Sequence, residues 1–162
     1  MSKSRMKAML IVFFDINGII HREYVPQGQT VTGQYYVEVL DRLRKRIFRI
    51  RPDLAENGWI LHHDNAPAHS SFLVNEFLAK KSIVTLPHPP YSPDIAPCDF
   101  FLFPKMKTHL KGTHYGSVEN VQKAVTEVLN GLTLEDYQEC FKSWERRWTR
   151  CIELEGDYCE GR

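Results

Sequence analysis

Apolar and polar residues in this chain fall into blocks with two different periods. Residues 7–14 (KAMLIVFF) form a continuous apolar run, as a buried strand does. After Asp15-Ile16-Asn17-Gly18, the segment IIHREYV from Ile19 alternates apolar and polar side chains. Asn-Gly between two strand-like runs predicts a hairpin, because both residues accept the positive φ that tight turns need. Residues 33–49 then adopt the helical period. Val37, Leu40, Leu43, Ile47 and Ile50 make an apolar stripe, and basic residues fill much of the remainder. Gly58 precedes WILHH, a short strand ending at Asp64. Residues 67–80 predict a helix with Phe72, Phe77 and Leu78 as its apolar contacts, and SIVTLP (82–87) predicts a further strand. Five prolines in the eleven residues from Pro87 to Pro97 leave no regular element there. Three helices close the chain: one beginning near Asp99, one following Ser117 as N-cap, and one from Thr133. Asp136, three residues after Thr133, completes a capping-box-like pair.

That order predicts an α/β layered domain. No repeat, low-complexity tract or linker divides the 162 residues, which suffice for one real core, so 1–162 reads as a single domain. A hydrophobic fraction of 43% with 25% charged residues is ordinary for a soluble globular protein. The net charge of +1 gives no overall pull toward nucleic acid, so any such affinity must be local. No stretch approaches the length of a membrane span, and MLIVFF is too short for a secretory core and runs straight into a turn. No membrane partner is expected. Cys98, Cys140, Cys151 and Cys159 are widely spaced without any C-x-x-C, which predicts a reduced intracellular compartment and no zinc site.

The carboxylates carry the candidate chemistry. Asp64 ends a predicted strand and Asp99 opens a predicted helix. Metal-dependent phosphoryl transfer needs hard oxygen ligands, and two-ion sites hold their cations roughly 3.5–4 Å apart on such groups. A strand end and a nearby helix start can converge in that way. Asp before a turn and Asp at a helix N-terminus are each also common for purely structural reasons.

Three segments sharpen the choice. LHHDNAPAH (61–69), LPHPPYSPDIAPCDFFLF (86–103) and RWTRCIELEGDY (147–158) resemble mariner-family DNA transposases, from about residue 7 to 158. The family pattern places an Asp in HDN, 34 intervening residues, and an Asp after YSPDLAP. Here 34 residues separate Asp64 from Asp99, which selects Asp99 over Asp94. The resemblance implies a ribonuclease H-like catalytic fold, a mixed sheet with flanking helices. It also implies Mg²⁺ or Mn²⁺ on Asp64 and Asp99 as catalytic and metal-binding residues, transposon-end DNA as substrate, homodimeric action and a nuclear location. The family's first catalytic Asp lies in a DEKW-like segment on a strand ahead of the hairpin, and no DEKW occurs in this sequence. The expected fold therefore lacks its first strand, and no helix-turn-helix modules for reading transposon ends are present. Asp15 matches a hairpin corner that carries no family role.

Other features have competing readings. Alternation points His62 and His63 to opposite faces, so with His69 they make a poor metal set. Asn65 either positions the Asp64 loop or makes a local turn. The run RLRKRIFRIR holds six basic residues in ten (Arg42, Arg44, Lys45, Arg46, Arg49 and Arg51), and reads as a solvated helix face or as a phosphate-backbone contact. Phe100, Phe101 and Phe103 are expected in the core behind Asp99. Tyr91 and its proline loop are either a partner contact, as in the family's dimer, or a rigid surface loop. The sequence thus predicts a mariner-type domain for metal-dependent DNA cleavage and transfer, inactive as this fragment. Two alternatives stand beside it: an active enzyme in which Asp15 or a partner chain replaces the absent ligand, and a non-catalytic DNA- or protein-binding remnant.

Overall fold

In the computed structural model, which describes residues 9–64, 66–87 and 95–153, the hairpin forms as expected: β1 (Met9–Asp15) pairs antiparallel with β2 (Gly18–Val25). The turn itself is shifted. Its central residues are Ile16 and Asn17, and Asn17 does not take a positive φ; Gly18 does, at 121°. The Asn17 amide donates to Asp15 Oδ1 at 2.9 Å, so the carboxylate shapes the corner. The register slips between Phe13 and Phe14, leaving Ile20 as the extra residue on β2.

β1 is covered on both faces. Ile11 and Phe13 pack into one core with Ile20, Leu61 and the buried face of α1 (Gly33–Ile50). Leu10, Val12 and Phe14 pack into a second core built by the C-terminal helices. α1 starts at Thr32, whose hydroxyl accepts the Tyr35 amide at 3.1 Å, and it buries Tyr36, Val39, Leu40, Leu43 and Ile47. A short α2 (Pro52–Asn57), with Pro52 in its first turn, follows directly.

The next two strands are shorter than WILHH and SIVTLP suggested. β3 (Ile60–Leu61) and β4 (Val84–Thr85) form a parallel pair, extended only by the Leu86 amide donating to Leu61 O at 2.9 Å. Among the described residues the strands make two separate two-stranded sheets instead of one mixed sheet. Between β3 and β4 runs α3 (Phe72–Lys80), capped by Ser71. It begins five residues later than residue 67. That start places Val74 and Leu78 on the buried face and turns Phe72 outward, 77% exposed, against the expectation that Phe72 is an apolar contact.

The C-terminal half opens with a π-helical turn, Cys98–Leu102, closed by the Phe103 amide donating to Cys98 O. α4 (Phe103–Leu110) continues it. Pro104 lacks the amide that an α-helix would require at that point, and the wide turn sits immediately before it. Phe101 is buried and Phe100 and Phe103 pack against the same core, as expected. α5 (Val118–Asn130) is capped by Ser117, and α6 (Leu134–Glu153) completes the described chain. Cys98, Cys140 and Cys151 are free thiols.

The capping box at α6 forms reciprocally. The Asp136 amide donates to Thr133 Oγ1 at 3.1 Å, and the Thr133 amide donates to Asp136 Oδ2 at 2.9 Å. The Thr133 backbone hydrogen bond holds the Asp136 carboxyl below its ordinary value of 3.8. Thr133→Ala is expected to lower stability by about 1 kcal/mol in a denaturant melt at neutral pH. Because the folded-state pKa is depressed, the Asp136 contribution is full above the unfolded value and disappears as pH falls through the folded one. The gap between wild type and Asp136→Asn should therefore close on acidification.

Candidate functional site

Asp64 stands three residues beyond β3, its side chain 48% exposed. Its Oδ1 accepts the Ala66 amide at 3.0 Å and lies 2.8 Å from His69 Nδ1. The latter approach has the distance of an ion pair without the alignment of a hydrogen bond, and His69 Nδ1 is buried with no hydrogen-bond partner. Behind the carboxylate stands a cluster of rings. His69 stacks on Tyr36 with centroids 4.0 Å apart and on His63 at 5.0 Å, and the Tyr36 hydroxyl is 3.0 Å from His63 Nδ1. Burial, followed by the charges of Asp64 and Cys98, pushes the Tyr36 phenol far up, so it stays protonated.

Asp99 lies exposed in the first turn of the π-helical segment, where a negative charge suits the helix N-terminus. Its neighbour Cys98 reports on both carboxylates. Burial first, then the charge of Asp99, then Cys140 and Asp64, push the Cys98 thiol up to about 12.

One side chain of α6 braces both approaches. Trp144 Nε1 donates to Ile95 O at 2.7 Å, just ahead of Asp99, and the His62 ring meets the Trp144 ring edge-on at 5.1 Å, just ahead of Asp64. His62 and His63 thus diverge, one toward α6 and one toward α1, as alternation predicted. Among the described residues no group of three or more His, Cys, Asp or Glu is arranged to hold a metal. Asn65, Tyr91 and Cys159 lie outside the described residues.

Asp15 is committed elsewhere. Arg51 Nε donates to its Oδ2 at 3.0 Å and Arg51 Nη2 to its Oδ1 at 3.3 Å, tying the hairpin corner to the end of α1. The other members of the basic run are mostly engaged as well. Arg42 binds Glu23 bidentately at 2.9 and 2.6 Å, Lys45 pairs with Asp41 at 3.0 Å, Arg46 donates to Ile20 O at 3.2 Å, and Arg44 lies over Phe48. Burial raises the Glu23 carboxyl, but hydrogen bonds from Arg42 and His21 outweigh it and the net shift is downward. Arg42, Lys45 and Arg49 are the exposed members, and their i, i+3, i+7 spacing sets them on one side of α1.

Sequence reasoning missed Tyr36 and Trp144. Tyr36 sits within the helical period and could have been taken for core, whereas the bracing role of Trp144 carried no signal, since Ile95 and His62 lie 49 and more residues away.

A family model described as "Transposase (partial DDE domain)" matches residues 2–56. The Mariner Mos1 transposase of Drosophila mauritiana is 34% identical over 156 residues, 95% of this chain and 45% of that protein. The Mos1 catalytic domain, solved with Raltegravir and Mn, superposes with a TM-score of 0.86 at 34% identity, over 94% of this chain and 78% of that one; its form with Mg gives the same score. This chain belongs to the mariner transposase family. A Mos1 paired-end complex with the left transposon end matches at 33% identity and a TM-score of 0.86, over 99% of this chain and 48% of that one. The ribonuclease H-like fold of the mariner catalytic domain is thus established here, and the chain spans under half the length of the full Mos1 transposase. Among the described residues no helix is long and apolar enough to cross a membrane.

Because Asp15 holds Arg51 and not a site, Asp15→Ala is expected to cost about 1–2 kcal/mol by leaving a half-buried guanidinium unpaired. Calorimetric titration with Mn²⁺ should give the same affinity for this variant and for the unaltered chain.

Proposed function

We propose that these 162 residues form the metal-dependent DNA strand-cleavage and strand-transfer domain of a mariner-type transposase, supplying two of its carboxylates, Asp64 and Asp99. The observation that carries this reading is the match to the Mos1 catalytic domain over 94% of this chain, with Asp64 and Asp99 both exposed to a substrate. The Mn and Mg forms of the Mos1 catalytic domain and its complex with a transposon end support it. The donor set suits Mg²⁺ or Mn²⁺, which use one or two carboxylates together with water and substrate phosphates. When bound, the cation would neutralise charge on the phosphoryl oxygens. The chain's own part is to fix the two carboxylates, through the loop hydrogen bond of Asp64 and through Trp144.

By themselves these residues contain no DEKW-type Asp, and Asp15, held by Arg51, does not replace it. Removing one hard ligand from a shared site takes away much of the stabilisation on which phosphoryl transfer depends. The isolated chain therefore binds Mn²⁺ weakly through Asp64 and Asp99 and nicks no transposon-end DNA above background. Calorimetry and a plasmid-nicking assay with the unaltered chain, Asp64→Asn and Asp99→Asn test both parts. Equal Mn²⁺ binding by all three would remove the site; nicking by the unaltered chain that Asp64→Asn abolishes would show that the missing ligand is dispensable.

DNA contact is proposed to be sequence-independent and to come from the exposed members of α1. Lys45→Ala with Arg49→Ala should make the salt dependence of binding shallower by about 2 in log–log slope. An unchanged slope would assign these residues to solvent alone. The domain is further proposed to act in the nucleus as a homodimer. β1 hydrogen-bonds on one side only among the described residues, and its apolar second edge is suited to pairing with another chain. A monomer in light scattering at all concentrations would exclude that association.

A further inference from the structure

We infer that His69 is a positioning residue for Asp64, holding the carboxylate in the orientation in which it receives a divalent cation. The inference rests on the metal-site reading above. A carboxylate on an exposed loop turns freely, because its terminal torsion is broad and only two-fold. Asp64 is restrained from two directions. The Ala66 amide donates to its Oδ1, and the His69 ring returns to the same oxygen at 2.8 Å from within the same short loop. That ring is not free to follow the carboxylate, being stacked on Tyr36 and His63, and Tyr36 is only 1% exposed.

The loop beneath is equally fixed. The amides of His69 and Ser70 both donate to Ala66 O, at 2.8 and 3.1 Å, and the Ser71 hydroxyl donates to Ala68 O at 3.1 Å. A Cβ on Gly33 would come within 2.3 Å of Ser71 Oγ, so the start of α1 lies directly against the loop. His69 Nδ1 is buried, lacks a hydrogen-bond partner, and faces the oxygen of the candidate ligand. A pair with one exposed member adds little to stability. Its effect is on orientation, and the slack in its alignment is taken up when the carboxylate turns to a cation, as the partners of metal-ligating groups commonly do.

The test is Mn²⁺ binding to the full 162-residue chain, by calorimetry and by Mn²⁺ electron paramagnetic resonance, with thermal melts as a control on folding. His69→Phe keeps a ring on Tyr36 and removes the nitrogen that faces Asp64; it should weaken Mn²⁺ binding about tenfold or more. His69→Asn puts an amide donor near the position of Nδ1 and should restore most of the affinity. Asp64→Asn should abolish it. His69→Phe binding like the unaltered chain while Asp64→Asn has lost binding would overturn the positioning role and leave the metal site standing, as would His69→Asn proving as weak as His69→Phe. Unchanged binding by Asp64→Asn would overturn the metal site and this inference together. Should His69→Phe fail to fold, the unaltered chain decides: the His69 Nδ1 ¹⁵N signal is expected to shift on saturation with Mg²⁺, and an unmoved signal refutes the role.

Discussion

The structure depends on β1 being buried on both faces. Its alternate side chains serve two cores at once, Ile11 and Phe13 toward α1, and Leu10, Val12 and Phe14 toward the C-terminal helices. A strand that fills both faces must be apolar throughout, which is why residues 9–14 carry no charge. Its corner cannot drift either, because Asp15 is tied to Arg51 at the far end of α1. With that partition fixed, α1 and α6 pack on opposite faces of the hairpin; the Asp64 segment touches both, through Tyr36 and Trp144, and the Asp99 segment is tied to α6.

The two kinds of carboxylate in this protein show what distinguishes a strut from a candidate ligand. Asp15 is 21% exposed, bidentate with a guanidinium that is equally half-buried, and shapes a turn. Such a group is fully used by the fold. Asp64 is 48% exposed, and the ring of His69, stacked on Tyr36 and His63, stands against one of its oxygens. The rigid aromatic support behind an exposed charge is the arrangement a binding site requires, since the support lowers the ordering cost while the charge remains accessible. Asp99 obtains similar support from the π-helical turn, where Phe101 and Leu102 are buried immediately behind it.

Much of this was legible in the sequence, and the limits have physical causes. The hairpin, α1, the Ser117 cap and the Thr133–Asp136 box follow from local patterns that the chain obeys, and the motif segments pointed to the family. The short β3 and β4, the late start of α3 and the outward turn of Phe72 were not legible, because apolar content alone does not reveal how many ladder bonds a strand will find. The π-helical turn was hidden in the same way: Pro104 marks a disturbance without saying whether the helix breaks or widens. The pairing of the basic run was hidden for a different reason. Composition counts charges, but Arg42 and Arg51 answer carboxylates on the hairpin that only the tertiary fold brings near.

The division of the described strands into two small sheets has a consequence for how the site is held. A two-stranded sheet is marginal by itself, and β3 with β4 offers only two paired positions. In a continuous sheet, neighbouring strand ends are locked to one another by ladder hydrogen bonds. Here the relation between the Asp64 segment and the Asp99 segment passes through side chains: Trp144 to Ile95 and His62 on one side, Tyr36 to His63 and His69 on the other. Side-chain contacts of this kind transmit a position only as well as their packing is maintained. Geometry at the two carboxylates is therefore set by α1 and α6 more than by the strands that carry the chain to them.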